Sequence, residues 1–352
     1  MLPYWLMFSV PAFASVFERP RYAPLRRGKA ELVALTALII CLFVGLRYEV
    51  GSDWTAYWAQ FVRASIIPIS AVPMAGDPGY VLLNWLAGRL GADIWLVNLV
   101  SAAVFSWGLF SFVKVQSRPL LSLAIAIPYL VIVVSMGYTR QGVAIGLAMR
   151  GFVALGEGGS NLRFVLWVVA AATFHKSATL LIPMVALIEQ RGRLWAVLWV
   201  AGATVLAYFT LLESSVDRLV YTYLEREYDS GGTAVRLAMN AVPALLLLLF
   251  RNRFVMRRFE KRLWLTLAWI ALALIPAFIL SPSSTAVDRM ALYVLPLQIA
   301  VLSRVPDAFA RSQQTAQFLN LLVVLYSASI QFVWLNYAAH AGDWLPYRVY
   351  PF

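Results

Sequence analysis

The sequence predicts an all-α membrane protein that crosses the bilayer many times. Of its 352 residues, 61% are hydrophobic and only 13% are charged, and the mean hydropathy is +0.74. Soluble domains carry about a quarter charged residues. Apolar runs long enough to cross a bilayer core of about 30 Å recur along the whole chain. We therefore expect a single integral membrane domain over residues 1–352.

The individual spans follow from the apolar runs and from the basic loops that separate them. These loops are Arg19–Lys29, Lys114–Arg118, Arg191–Arg193, Arg251–Arg262 and Arg304–Arg311. The positive-inside rule places all of them in the cytoplasm, which gives about ten crossings and puts both termini outside. The predicted spans are Leu2–Phe17, Glu31–Leu46, Ile94–Val113, Leu120–Met136, Gln141–Leu155, Leu194–Leu212, Leu237–Phe250, Leu263–Leu280, Met290–Leu302 and Phe318–Leu335.

Two further segments do not have the pattern of plain spans. Asp77–Leu90 is short and amphipathic, which indicates an interfacial or re-entrant helix. Leu162–Ile188 is long and apolar but has His175 and Lys176 in its middle. Both of its ends, at Arg163 and at Arg191–Arg193, are basic and are therefore expected in the cytoplasm. We expect two half-length helices with His175 at the tip of a hairpin; one ordinary span is the alternative. Irregular backbone at membrane depth is tolerated only where it is buried or lines a water-filled cavity.

This topology places the conspicuous polar residues on the outer side. They are Arg47, Asp53, Arg140, His175, Arg236 and Arg289. We expect them to line one cationic cavity. The net charge of +12 is assigned to topology loops rather than to nucleic-acid binding. The chain has one cysteine, two histidines and no nucleotide-binding or metal-protease motif, so we expect no metal and no cofactor.

Arginine suits an anionic substrate, but each arginine also has a structural interpretation. Arg140 begins a helix rich in glycine and alanine, where the helix N-terminus and close packing favour an anion site. A structural ion pair is the alternative. Arg47 either binds substrate or snorkels from the end of its span, and Asp53 either takes part in chemistry or pairs with Arg47. Arg236 and Arg289 either clamp phosphate or flank spans as anchors.

His175 is the strongest candidate for a general base in this pattern. Imidazole titrates near neutrality, which suits removal of a proton from a sugar hydroxyl. The alternative is a buried histidine whose hydrogen bonds are satisfied within the fold.

Several sequence blocks together resemble the EpsG family of exopolysaccharide polymerases, within the broader Wzy-like group. In chain order they are GLRYEVGSDWTAYW, DPGYVLLNWLAGRLG, YTRQGVAIGLA, FHKSATLLIP, the Tyr228–Arg236 region, DRMALY and WLPYRVY. The resemblance implies a helical bundle of the GT-C type and an extracytoplasmic, inverting glycosyltransferase in the bacterial inner membrane. Its substrate would be oligosaccharide repeat units on undecaprenyl diphosphate.

The resemblance also implies roles for individual residues. Arg47, Arg140, Arg236 and Arg289 would bind the diphosphate, and His175 or Asp53 would act as base. Candidate contacts with sugar or lipid are Glu49, Tyr57, Tyr138, Gln141, Lys176 and Tyr293. A chain-length regulator and export machinery are the expected partners. A lipid-linked oligosaccharide flippase or other transporter, a single-addition GT-C transferase, an O-antigen ligase and a membrane acyltransferase remain open as alternatives.

Overall fold

The structure, a computed structural model, is helical in the part of the chain that it describes. It describes residues 1–20, 27–158, 160–184, 232–280 and 284–351, together with 188, 198 and 201–202. Within these ranges there is no strand, and the one isolated antiparallel bridge joins Arg47 to Val349. The predicted all-α class is therefore confirmed.

The helices fall mostly where the apolar runs predict them. The α-helices are α1 (Leu2–Val16), α2 (Arg27–Gly45), α3 (Trp54–Ile66), α4 (Pro78–Arg89), α5 (Ile94–Val113), α6 (Pro119–Ala126), α7 (Thr139–Gly158), α8 (Asn161–Phe174), α9 (Thr233–Leu249), α10 (Arg258–Leu280), α11 (Ser284–Leu302), α12 (Val305–Phe309) and α13 (Gln313–Tyr337). Ile127–Ser135 continues α6 as a π-helix, and 3₁₀ turns cover Ile69–Met74, Lys176–Leu181 and Ala341–Trp344.

Helix α6 and its π-helical continuation form the centre of the bundle. Every residue from Arg118 to Gly137 is buried, so no side chain of this element reaches lipid or water. Pro128 lies at the start of the π-helical part. Proline lacks an N–H and its ring crowds the preceding turn, which explains why the helix widens there. Helices α1, α5, α11 and α13 pack around this element.

Two glycines allow the backbones of α5 and α7 to come into direct contact next to the central helix α6. A Cβ atom on Gly108 of α5 would lie 2.1 Å from the carbonyl oxygen of Gly146 on α7. A Cβ atom on Gly146 would lie 2.8 Å from the Cα of Phe105. Any larger residue at either position would force the helices apart. The predicted role of small residues in α7 is confirmed, and it fixes the end of α7 that carries Arg140.

Four of the predicted cytoplasmic loops meet on one face of the bundle. Glu18 pairs with Lys29 at 2.5 Å, and Arg118 pairs with Asp307 at 2.6 Å. Arg304 reaches both Glu260 and Gln116, each at 2.5 Å. We call this the inner-face ion cluster. The fifth loop, Arg191–Arg193, lies outside the described residues.

The opposite ends of the same helices carry the other polar residues. Gln116 of the inner-face ion cluster follows the C-terminal end of α5, whereas Asn98 near its N-terminal end binds Arg47. A helix of this length is about 30 Å long, which is the thickness of a bilayer core. The described polar residues are thus divided between two faces, as the loop charges predict.

Nine of the predicted spans coincide with helices, and the tenth, Leu194–Leu212, lies mostly outside the described residues. In the described part, four helices are long and apolar enough to cross a membrane by themselves: Gly28–Gly45, Ile94–Val113, Arg258–Leu280 and Gln313–Tyr337. The multi-pass character is confirmed at this level. The number of crossings and the side on which the termini lie remain predictions.

Three local features differ from, or refine, the sequence prediction. Helix α3 was not predicted, because its polar residues break the apolar pattern of a span. Helix α10 begins at Arg258, inside a segment expected to be a loop. The half-length helix before His175 is present as α8, and the chain continues as a 3₁₀ turn. Residues 185–187 of that predicted hairpin lie outside the described residues.

Candidate functional site

Arg140 lies at the start of α7 and pairs with a carboxylate that the sequence did not single out. Its Nη1 atom is 2.7 Å from Oδ2 of Asp77, which precedes α4. Its guanidinium also lies 5.8 Å from the ring centre of Tyr57. The Arg140 side chain is 31% exposed, and its buried Nε finds no acceptor in the described part of the chain. The exposed part of the Arg140 side chain is therefore accessible to a ligand, whereas the buried Nε is not.

Asp77 is held in place by the packing of α4 against α8. A Cβ atom on Gly79 would lie 2.6 Å from Oγ1 of Thr173, so the start of α4 must lie against the end of α8. Burial raises the pKa of the Asp77 carboxyl, while the charges of Arg140 and Lys176 act in the opposite direction. In the sequence Asp77 opens the block DPGYVLLNWLAGRLG, and its position before Pro78 is typical of a helix start.

Asp53 occupies the position before α3 and is half-buried. Its carboxylate accepts no hydrogen bond from the residues that the structure describes. Burial raises the pKa of the Asp53 carboxyl, and the positive charges of Arg289, Arg140 and His340 oppose that shift. Asp53 is therefore an unengaged carboxylate lying near two arginines.

His175 is buried and has a partner at each ring nitrogen. Its Nδ1 atom lies 2.5 Å from Oγ of Ser177, and its Nε2 atom lies 3.4 Å from Nη1 of Arg289. Arginine can only donate, so Nε2 must accept and the proton of a neutral imidazole is on Nδ1. Nδ1–H then donates to Ser177, whose hydroxyl lies 3.3 Å from the hydroxyl of Tyr293.

Arg289 connects His175 to the start of α7. Its Nη1 donates to Oε1 of Gln141 at 3.1 Å, and its carbonyl accepts from Nε2 of Gln141 at 2.9 Å. The guanidinium lies 5.5 Å from the ring centre of Tyr138. Within the described ranges Arg289 forms no ion pair with a carboxylate. Its charge is thus oriented by neutral groups and is not neutralised by them.

Arg236 is a neighbour of the site but is fully engaged in an ion pair. It pairs with both oxygens of Asp288, at 2.8 and 2.9 Å, and both side chains are buried. Thr233 donates to the same carboxylate at 3.3 Å. This pair ties α9 to α11.

Arg47 is buried within the fold and does not open into the site. Its guanidinium donates to the carbonyls of Val44 and Val50 and to the side chains of Asn98 and Thr139, at 2.5, 3.3, 3.4 and 2.8 Å. Thr139 directly precedes Arg140. Arg47 therefore fixes the position of the start of α7 through its hydrogen bond to Thr139.

Glu49 lies on the surface, apart from the other candidates. Its carboxylate pairs with Arg348, and both side chains are about half exposed. The backbone of the same loop is bonded to the C-terminal segment, where Tyr48 N–H donates to the Arg348 carbonyl at 3.0 Å. Gly51 has a φ of 107°, and a Cβ there would lie 2.6 Å from the Met136 carbonyl oxygen. The loop thus requires glycine at that position.

Most of the predicted site residues are therefore brought together around one region, which we call the outer-face site. Its members are Asp53, Tyr57, Asp77, Tyr138, Arg140, Gln141, His175, Lys176, Ser177, Arg289 and Tyr293. Arg47 and Glu49 lie elsewhere, and Arg236 forms a separate pair. In the described residues no group of three or more His, Cys, Asp or Glu could hold a metal ion.

The family assignment follows from a comparison with family models. The model of the EpsG family matches residues 32–349, which is nearly the whole chain. The chain belongs to the EpsG family. No curated protein and no solved structure matches it. The EpsG match confirms the resemblance drawn from the sequence blocks, and it indicates a multi-pass membrane protein of the exopolysaccharide polymerase type.

Proposed function

We propose that this chain is an extracytoplasmic polysaccharide polymerase that joins oligosaccharide repeat units carried on undecaprenyl diphosphate. The proposal rests on Arg140 and Arg289 of the outer-face site. Arg140 pairs with one carboxylate, that of Asp77, and Arg289 contacts the neutral side chains of Gln141 and His175. The two guanidinium groups therefore carry more positive charge than the carboxylate bound to them neutralises. A diphosphate is the matching ligand because it is anionic and accepts several hydrogen bonds from guanidinium groups.

The arginines would act on the leaving group. In the transfer, an acceptor hydroxyl oxygen forms a bond to the anomeric carbon of the donor, and the bond from that carbon to the diphosphate oxygen breaks. Negative charge then grows on the diphosphate. Arg140 and Arg289 would stabilise this charge, which is the kind of electrostatic term that usually contributes most to catalysis.

The acceptor hydroxyl must lose its proton, and the geometry favours Asp53 over His175 as the base. Asp53 is half-buried, accepts no hydrogen bond within the described chain and has a raised pKa. The Nε2 lone pair of His175 faces Arg289, and its Nδ1 faces Ser177. We assign His175 the role of positioning Arg289. Direct displacement on an α-linked donor would invert the anomeric carbon.

The remaining candidates receive supporting roles in this proposal. Arg47 positions the start of α7 and Arg236 ties α9 to α11, so neither is required to contact the diphosphate. Tyr138 lies against Arg289, is partly exposed and would flank the substrate, whereas Tyr57 is buried against Arg140 and would hold its guanidinium in place. The site would open to the periplasm of the inner membrane, and a chain-length regulator and export machinery would be the partners.

The test measures lipid-linked glycans in cells that lack this protein, complemented with wild type, Arg140→Ala or Arg251→Ala. Arg251 is an exposed arginine on the predicted cytoplasmic side and serves as a matched control. We expect Arg140→Ala to accumulate complete single repeat units on the outer leaflet with no polymer, and Arg251→Ala to make normal polymer.

Other outcomes would contradict the proposal in distinguishable ways. Truncated precursors would indicate a single-addition transferase, and complete units stranded on the inner leaflet would indicate a flippase. Unlinked but complete polymer would indicate a ligase. Normal polymer in Arg140→Ala, at normal protein abundance, would remove Arg140 from the site.

A further inference from the structure

Four aromatic side chains form a continuous row beside the outer-face site. Tyr48 lies 5.7 Å from Trp54 and 6.4 Å from Tyr350, measured between ring centres. Trp95 stacks on Tyr350 at 5.8 Å with an angle of 16° between the ring planes. The row begins at Trp54, which directly follows Asp53 in the chain. We call these four residues the aromatic row.

The aromatic row is held on a rigid frame. The amide N–H of Tyr350 donates to the Leu46 carbonyl at 2.8 Å, and the bridge between Arg47 and Val349 fixes the same pair of segments. Trp95 belongs to the first turn of α5, and Trp54 begins α3. Four rings from three parts of the chain are thus presented together by backbone that is hydrogen-bonded or helical.

The surroundings of the row indicate water rather than lipid. The exposed ion pair of Glu49 and Arg348 lies in the same two segments as Tyr48 and Tyr350. Exposed charges and non-helical backbone are not stable against hydrocarbon. By contrast, Trp269 is 63% exposed in the middle of α10, a long apolar helix, and is a lipid-facing tryptophan. None of the four rings is fully buried, and Tyr48 is 39% exposed.

We infer that the aromatic row binds a glycan strand, with sugar rings placed against the aromatic faces, as the strand extends from the reacting diphosphate. A pyranose ring presents C–H groups on its faces and hydroxyls on its edge, which matches an aromatic surface in water. Partly exposed rings that adjoin a site are typical of binding surfaces. This inference rests on the proposed function, because that function supplies the glycan.

The occupant is a glycan rather than the membrane surface. Tyrosine and tryptophan also gather at bilayer interfaces, where they act as anchors. An anchor row would have exposed aliphatic residues among its rings. Here the loop neighbours Glu49 and Gly51 are not aliphatic and Val50 is buried, and the row leads from Trp95, in the first turn of α5, to Trp54 beside Asp53.

Two measurements test the inference on the full-length protein. The first is binding of oligosaccharide fragments, released from the cell's own polymer, to the purified protein in lipid nanodiscs. We expect Trp95→Ala and Tyr48→Ala each to weaken binding by about twofold to tenfold. Trp95→Phe should restore most of the binding because it keeps a flat ring, and Trp269→Ala should bind as the wild type does.

The second measurement is the length distribution of the polymer in cells at matched protein abundance. We expect Trp95→Ala to give shorter chains while still joining the first units, since the row lies beyond the reacting groups. Trp269→Ala should give the wild-type distribution. A Trp95→Ala variant that binds fragments and makes chains like the wild type would overturn the inference, and so would one that only lowers membrane abundance, as an interfacial anchor would.

The two proposals fail in different ways. If cells without the protein still make full-length polymer, the polymerase assignment is wrong, but the fragment-binding assay still reports on the aromatic row. If the polymer is lost in those cells and fragments bind equally to wild type and Trp95→Ala, the polymerase assignment stands, and the inference that the aromatic row binds glycan is wrong.

Discussion

The two polar faces of this bundle use arginine differently. In the inner-face ion cluster each described arginine meets a carboxylate: Arg118 pairs with Asp307, and Arg304 pairs with Glu260. At the outer-face site Arg140 shares one carboxylate with Lys176, and Arg289 is held by Gln141 and His175. The positive charge of each of these two arginines is balanced by the carboxylate that it contacts. The outer-face site keeps positive charge unmatched, which costs stability and is expected where an anion binds.

The largest effect that this comparison predicts is on activity, at Asp53. Asp53→Asn should lower the rate of unit joining by about 10²–10⁴-fold, because a general base is removed. Asp343→Asn is a suitable control, since Asp343 is an exposed carboxylate near the same face. The measurement is the rate of unit joining by purified protein with lipid-linked substrate.

The pH dependence of the wild type should report the same group. A raised pKa means that the Asp53 carboxylate takes up its proton at a higher pH than the ordinary value of 3.8. Activity should therefore fall on the acid side, with a midpoint above that value. A raised pKa also means that the folded state binds this proton more tightly than the unfolded chain does. The stability gained from the protonated carboxyl is therefore present below the ordinary pKa and is lost as the pH rises through the raised pKa. At neutral pH the ionised carboxylate opposes folding, so Asp53→Asn should unfold at the same or a higher temperature. A less stable Asp53→Asn would indicate a structural carboxylate.

The next effect is on stability, in the inner-face ion cluster. Arg118→Ala should lower the free energy of unfolding by about 3–5 kcal/mol, because it leaves Asp307 and the Glu18 carbonyl without their partner. Activity per folded molecule should stay unchanged. Thermal unfolding in detergent and polymer yield per molecule measure the two quantities. A stable but inactive Arg118→Ala would show that the inner-face ion cluster contributes to activity rather than to stability.

A pair of substitutions at His175 sharpens the assignment within the outer-face site. His175→Leu removes the acceptor that faces Arg289 and should lower the joining rate by up to about 100-fold through misplacement of the guanidinium. His175→Gln can still offer an oxygen near the position of Nε2 and should keep most of the rate. The acid limb of the pH profile should remain in both. If His175→Gln is as inactive as His175→Leu and its acid limb is lost, His175 is the base and Asp53 is not.

The sequence was sufficient to predict those features that depend on a local pattern of apolar or charged residues. Apolar runs predicted α5 to the residue, and the placement of Arg140, His175 and Asp53 on one side predicted their convergence. The pairing of Arg140 with Asp77 joins residues 63 positions apart, and no local pattern encodes that choice. Arg47 shows the same limit: it follows the end of α2 as expected, but its side chain is buried against Asn98 and Thr139 and neither snorkels nor reaches the outer-face site.

The smallest predicted effect is at Glu49, a candidate substrate contact that lies outside both polar groups. Its φ of 51° is left-handed, which costs a non-glycine residue about 1–2 kcal/mol, while its exposed pair with Arg348 contributes about 0–1 kcal/mol. Glu49→Gly should therefore leave the stability within about 1 kcal/mol of the wild type or raise it, and Glu49→Ala should be less stable than Glu49→Gly. The rate of joining should be unchanged in both variants, as measured with purified protein. Equal loss of activity in the two variants, with normal folding, would show that the carboxylate contacts substrate and that the outer-face site extends to this loop.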